Sequence, residues 1–485
     1  MVKKYLKIYK SLPVQIKASF WFLVCSFLQR GISALTTPIF TRLLTTEEYG
    51  NFSVFNSWLN ILTIFLTLNL SLGVYTQGLV KFDEERDVFS SSLQGITTTL
   101  TFGWLVIYLI GRNFWNGLFS LTTVQMLAMF VMIWATAAFN FWSAEQRIDY
   151  KYRMLVIVTA IVSVAKPVVG IIFVLLADDK VTARILGLAL VELVGYCWSY
   201  FAQMKKGKVF YSKKFWVYAL KFNIPLIPHY LSSIVLNSSD RIMIKQMVSA
   251  DAAGIYSLAY AISMIMLLFN TAFSQTMSPW MYKRIKNKTV TEIEPVMYLS
   301  LYLIAGLNLF CILVAPEVVA VFAPKAYYDA IWVIPPVALS VVLIFSYDFF
   351  ARFEFYYEKT KFIMFASVVA AFLNIVLNYI FINIYGYRAA GYTTLACYAI
   401  YVGCHYWCMT RICKKEFPGV RVYNPRRLLL FYGFLIIIGV ALMATYNYPI
   451  IRYSILTVII IVAIIKRKTL IKKIQTILKL KKEPD

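Results

Sequence analysis

Residues 225–241 read PLIPHYLSSIVLNSSDR. They lie within a segment, 215–247, long enough to cross a bilayer yet carrying Asp240, Arg241 and Lys245 within it. Charges at that depth cost several kcal/mol, roughly, and persist where they serve a pathway, a ligand or a partner. Pro225 and Pro228 each remove a backbone donor, so the spacing predicts a helix broken near its start. His229, Ser233, Asn237, Arg241 and Lys245 recur every four residues and therefore share one face. A net-positive polar stripe in an apolar span fits a helix lining a wet cavity that receives an anion. The competing reading is a stripe satisfied by neighbouring helices.

The surrounding chain supports a membrane setting. Of 485 residues 60% are hydrophobic and 15% charged, against roughly half and a quarter in soluble domains. Apolar runs near the bilayer-spanning length recur throughout. The fold class is an all-α polytopic membrane protein with fourteen expected spans. They fall at 18–40, 51–78, 90–111, 119–143, 154–177, 182–204, 215–247, 253–278, 295–321, 328–351, 362–384, 388–410, 427–445 and 448–465. Short alternating barrel strands are not seen.

The net charge of +25 does not point to nucleic acid, because the basic residues lie between apolar runs. With a cytoplasmic N-terminus, outside loops hold only Arg42, Arg112, Lys180, Arg184, Lys325, Arg388 and Arg452. Arg30, Lys166, Lys221, Arg241 and Lys245 lie in spans, and the rest of the 48 fall inside. That asymmetry places both ends in the cytoplasm. Segments 1–17 and 466–485 read as basic, interface-hugging ends, the latter an amphipathic helix. Short outside loops exclude an external catalytic domain. Seven scattered cysteines imply no disulfide framework, and Cys404, His405 and Cys408 lack the second pair a metal site would need.

An internal repeat is visible. Thr45, Gly50, Phe52 and Ser53 match Ser249, Gly254, Tyr256 and Ser257 at an offset of 204. Ser33, Thr37 and Thr41 match Asn237, Arg241 and Lys245. Phe141, Trp142 and Lys151 match Phe349, Phe350 and Lys359 at 208. The expected organisation is a six-helix bundle at 18–204, a basic linker at 205–214, a second bundle at 215–410 and two added spans within 427–465. An even repeat implies two bundles with the same membrane orientation and a substrate site near the midplane.

Pro38-Ile39-Phe40-Thr41-Arg42-Leu43-Leu44 with Glu47-Glu48-Tyr49-Gly50 resembles the first-span signature of bacterial polysaccharide flippases. Ser239-Asp240-Arg241, Ala253-Gly254-Ile255-Tyr256-Ser257, Pro225-Leu226-Ile227-Pro228 and Ser278-Pro279-Trp280 fit the same family. These are the O-antigen and capsule repeat-unit flippases, in the superfamily of multidrug extruders and the peptidoglycan-precursor flippase. The resemblance implies two bundles in a V, alternating access, and an undecaprenyl-diphosphate-linked oligosaccharide moved from inner to outer leaflet. It implies no cofactor beyond a coupling proton or sodium ion. A polysaccharide polymerase is a candidate partner, and the chain is expected to act as a monomer in the plasma membrane. Thr36-Thr37 stands where the peptidoglycan-precursor branch carries an Arg-Asp pair, which counts against that substrate.

A diphosphate needs fixed cations in place of its hydration, and arginine offers a planar fork. Arg30, Arg241 and Lys245 are the candidate phosphate contacts. Ser33, Thr37 and Asn237 are candidate lumen groups beside them, and Lys166 is a further substrate candidate. Asp240 is read as positioning Arg241 or Lys245, with ion coupling the alternative. Lys166 and Glu192 sit at similar depth on consecutive spans and read as an ion pair, with ion coupling by Glu192 the sharper alternative. Asp348, Arg352 and Glu354 read as a solvated helix end, with an inner gate formed by Asp348 and Arg352 as the other option. The aromatics Phe349, Phe350, Phe353, Phe355, Tyr356 and Tyr357 read as an interface belt. No acid pair, nucleophile triad or phosphate loop suggests an enzyme. A polysaccharide polymerase would show a large outer loop. A cation antiporter would show an acidic rather than a basic stripe.

Overall fold

A computed structural model describes residues 13–467, so most of the basic ends expected at 1–17 and 466–485 lies outside the described residues. Every regular element among the described residues is helical. Ten helical stretches among them are long and apolar enough to cross a membrane. The chain is a multi-pass membrane protein. The other four expected spans, at 51–78, 215–247, 388–410 and 448–465, are helical too. They are interrupted, laced with polar groups, or short, as in the 17-residue helix Pro449–Ile465.

The chain divides into two compact units, residues 1–238 and 239–485. The first holds α1 (Val14–Leu43), α2 (Thr46–Thr67), α3 (Val74–Lys81), α4 (Arg86–Ile110), α5 (Arg112–Phe119), α6 (Thr123–Ile148), α7 (Tyr152–Leu176), α8 (Lys180–Gly207) and α9 (Lys213–Asn223). Within it α8 packs on α4, α6 and α7, and α1 lies along α7. One core gathers Phe55, Met129, Ile133 and Ile185, and another gathers Tyr75, Phe89, Phe141 and Phe215. The division falls within α10 (Ile227–Met247) and not at the 205–214 linker, because Phe215 of α9 is buried against Phe89 and Phe82. At the end of α1, the Arg184 guanidinium stacks 3.6 Å from the rings of both Phe40 and Phe52. Aromatic faces attract a cation most strongly when water is excluded. Arg184, expected in a loop, lies in the opening turns of α8 and fastens that helix to α1 and α2.

The second unit is built around α15 (Ile334–Tyr356). It packs on α11 (Ala250–Met264), α12 (Met266–Lys286), α13 (Ile293–Leu313), α17 (Ala389–Glu416) and α18 (Pro425–Ala444). The unit also contains α14 (Ala315–Phe322), α16 (Thr360–Tyr385) and α19 (Pro449–Ile465). Phe349, Phe350 and Phe353 are at most 1% exposed. The aromatic run is therefore half core, with only Phe355 and Tyr356 on the surface. Helical spacing turns one side of such a run into the protein, where Phe350 meets Tyr406 of α17 and Tyr423 beyond it.

The repeat is carried by the helix boundaries themselves. Helix α1 ends at Leu43 and α10 at Met247, while α2 begins at Thr46 and α11 at Ala250. Thr45 and Ser249 each cap the following helix, accepting from the backbone N–H of Glu48 and Ala252. Such caps satisfy donors that the first turn leaves open. Ser53 and Ser257 each donate to the carbonyl four residues earlier. Ile148 and Tyr356 end α6 and α15, Tyr152 and Thr360 open α7 and α16, and α8 and α17 are both 28 residues long.

Beyond the end of α6, Asp149 lies outside the spans. Burial pushes its carboxyl up, but hydrogen bonds from Lys151 and Arg86, each 2.8 Å long, outweigh this and hold it below its usual range. A depressed folded-state value means stability present above the unfolded carboxyl value, near 4, and lost as pH falls through the folded one. The melting temperature of the purified chain is therefore expected to fall below about pH 4 by this route. Asp149→Asn should flatten that part of the profile, as thermal-shift measurements between pH 3 and 7 would show.

Candidate functional site

The expected break is present: α9 ends at Asn223, Ile224–Leu226 form a 3₁₀ turn, and α10 starts at Ile227. Pro225 and Pro228 sit at this junction, where missing donors cost least. Ser232 donates to the Pro228 carbonyl at 2.6 Å and Asn237 to that of Ser233 at 2.7 Å, so both side chains cling to the helix. Along α10, Ser233 is exposed and His229, Asn237, Arg241 and Lys245 are half-buried. The Arg241 guanidinium lies 4.3 Å from the Tyr260 ring centre. An aromatic face attracts and steers such a cation.

Asp240, the next residue round the helix, points elsewhere. It is fully buried in the second unit. Tyr256 Oη donates to its Oδ2 at 2.5 Å, Thr394 Oγ1 to Oδ2 at 3.0 Å, and Asn378 Nδ2 to Oδ1 at 2.6 Å. Asn374 joins through Asn378, Thr394 and Ser239, and Thr393 donates to Asn378. Among the described residues Asp240 makes no ion pair, so it does not position Arg241 or Lys245 by a direct bond. Neutral donors from α11, α16 and α17 take that place. The direct bonds to this carboxylate come from neutral groups and the Arg241 guanidinium acts on it only through space, so a small cation or a proton would also be stabilised there.

Other expected residues fall into separate places. Lys166 Nζ and Glu192 Oε1 pair at 2.6 Å, with Thr136 donating to Oε2 at 3.1 Å and the Tyr196 ring beside the ammonium. Helix α7 runs on through Pro167 as one helix. Arg352 bonds Asp348 at 2.6 Å and Ser274 at 2.5 Å, and Ser274 also donates to Asp348. Arg352 and Glu354 are buried, which corrects the reading of this stretch as a solvated end. The chain turns these groups inward against α12 and α17. On α1, Thr37 and Thr41 are buried and bond the carbonyls of Ser33 and Pro38. Ser33 and Arg30 are exposed, and Arg30 has no hydrogen bond or ion pair among the described residues.

Sequence reasoning missed Asn374, Asn378, Thr394 and Tyr256. A signal existed: two asparagines four residues apart in the apolar run of α16 mark a polar seam on one face. Nothing in the local sequence said that the seam meets Asp240.

The chain matches the family described as "Polysaccharide biosynthesis protein" over residues 16–285, more than half its length. It belongs to that family. A family relative from Haemophilus influenzae, described as an uncharacterized membrane protein, is 24% identical over 375 residues. The match covers 74% of this chain and 88% of the relative. The fold is shared with lipid II flippase MurJ in an inward closed conformation, with a TM-score of 0.63 and 14% identity. That match covers 89% of this chain and 99% of MurJ. An inward-facing multidrug resistance MATE family transporter of the MOP superfamily also has a TM-score of 0.63, at 12% identity, over 81% and 96% of the two chains. At these identities the likeness shows a shared fold.

Proposed function

We propose that the chain is a flippase for undecaprenyl-diphosphate-linked polysaccharide repeat units. It moves the head group from the inner to the outer leaflet of a bacterial plasma membrane by alternating access. The carrying observation is the accessible, net-positive stripe on α10, whose acid is withdrawn into the second unit. Arg241 and Lys245 supply fixed positive charge for a diphosphate. Ser233 and Asn237 offer hydroxyl and amide groups to sugars. The polyprenyl tail stays in lipid. The Asp240 cluster is the proposed seat of a coupling proton or sodium ion, since its one carboxylate is ringed by neutral oxygen and nitrogen groups.

The family description supports polysaccharide over other cargo. The MATE-like fold keeps a cation antiporter in view, but a basic stripe disfavours cationic substrates. The test is the full chain reconstituted in vesicles with a fluorescent undecaprenyl-diphosphate oligosaccharide. Translocation should accelerate over empty vesicles and respond to a proton or a sodium gradient. Translocation no faster than in empty vesicles would sink the proposal, and response to only one gradient names the ion.

A further inference from the structure

Glu354 in the last turn of α15 and His405 of α17 face each other at 0% side-chain exposure. His405 Nδ1 lies 3.0 and 2.9 Å from the two Glu354 oxygens. The rings of Tyr401, Tyr347 and Phe362 wall the imidazole at 4.3, 5.5 and 6.0 Å. Its Nε2 is buried without a hydrogen-bond partner. Arg352 of α15, two residues away, is engaged by Asp348 and by Ser274 of α12. Cys404 and Cys408 of α17 stand beside the carboxylate, and Lys359 and Arg411 act on Cys408. Among the described residues no charged group other than His405 bonds Glu354.

Protonation and packing are therefore tied together. With no proton the pair is a bare buried anion, with one it is neutral, and with two it is a buried cation. Either charged level costs several kcal/mol, roughly, in such a wall. An imidazolium would also leave an N–H at Nε2 with no acceptor. Placing a proton on Nε2 therefore needs the packing around it to open.

The first unit shows that histidine is not needed merely to bury an acid here. Helices α6 and α8 are the repeat partners of α15 and α17. Glu145, in the last turn of α6, is held by the Gln203 amide at 2.8 Å and by Lys206 at 3.3 Å. Gln203 in turn meets Tyr75 and Gln94. The two acids stand alike near the ends of α6 and α15, but their partners differ: Gln203 lies near the end of α8, whereas His405 lies about two turns earlier on α17 and is an imidazole.

We propose that Glu354 and His405 form a proton-binding site inside the second unit, whose occupancy is coupled to the conformation of the chain. The use of this proton in transport rests on the flippase reading. The site itself does not, and its test needs no substrate. Spin labels on non-natural amino acids, one in each unit, avoid the seven native cysteines. Double electron–electron resonance on the full chain in liposomes, at pH 5.5 and 8.5, then reads the conformation. The distance distribution should shift between the two values and lose most of that shift in Glu354→Gln/His405→Gln. Glu145→Gln should keep it. If the double variant does not fold, His405→Gln alone, which keeps a neutral hydrogen-bonding group beside Glu354, carries the test. A pH-insensitive parent chain, or a shift that survives removal of the pair, overturns the proposal. A shift that tracks the pair alongside failed lipid translocation would leave the proton site standing and remove only the flippase reading.

Discussion

Arg241→Ala is expected to slow translocation of the lipid-linked repeat unit roughly 10- to 100-fold while the protein still folds. A hydrogen bond to a charged group contributes about 1.5–3 kcal/mol, and each 1.4 kcal/mol is about a factor of ten. The guanidinium is half-buried on α10 and contacts the Tyr260 face. Losing that contact costs only about 0.5–1 kcal/mol of stability at such a site. Arg241→Lys keeps the charge but not the planar fork, so it should fall between parent and alanine. The measurement is initial flop rate in vesicles, beside a size-exclusion profile that verifies folding. An alanine variant working at the parental rate would remove Arg241 from the substrate path. The effect should be larger for the double variant with Lys245→Ala, because one diphosphate then loses both cations of the helix.

Much of the architecture could be read before any coordinates. Thr45 and Ser249 announce two helix starts 204 positions apart, and the chain obeys both. Pro225 and Pro228 announce a break, and a 3₁₀ turn lies there. These features are local, so the residues that cause them are adjacent in sequence. The site was legible only in part, because its partners are distant. Asp240 adjoins Arg241 in sequence, which suggests that the two pair, yet helical geometry points consecutive side chains about 100° apart. The carboxylate turns into the second unit, where Asn378 and Thr394 await it from α16 and α17. Glu354 was misread for a similar reason. An acid near the end of a span suggests water, and only the packing of α17 shows that His405 encloses it. The aromatic run from Phe349 failed differently. Composition alone does not separate an interface belt from a core, and α15 is wrapped on several sides.

The second large effect concerns Lys166 and Glu192. Removing one member of a buried ion pair strands the other, at a cost of about 3–5 kcal/mol where solvent is absent. Glu192 is nearly enclosed, whereas the Lys166 side chain is 30% exposed. Glu192→Leu is therefore expected to destabilise the chain by a smaller amount, about 2–4 kcal/mol. Thr136 would also lose its acceptor. Adding Lys166→Met should recover most of that loss, since two apolar groups of similar volume replace the pair without a stranded charge. Thermal aggregation followed by size-exclusion chromatography would read both steps. Recovery separates the two roles open to this pair. A stable Lys166→Met/Glu192→Leu chain that still flips its lipid makes the pair a brace between α7 and α8. A stable double variant that no longer flips assigns Lys166 to the substrate or Glu192 to the coupling ion. Lys166→Met/Glu192→Gln then divides those, because it restores hydrogen bonding to Thr136 without charge. If the double variant is no more stable than Glu192→Leu alone, the ion pair is not what holds these helices together, and the coupling argument built on it fails.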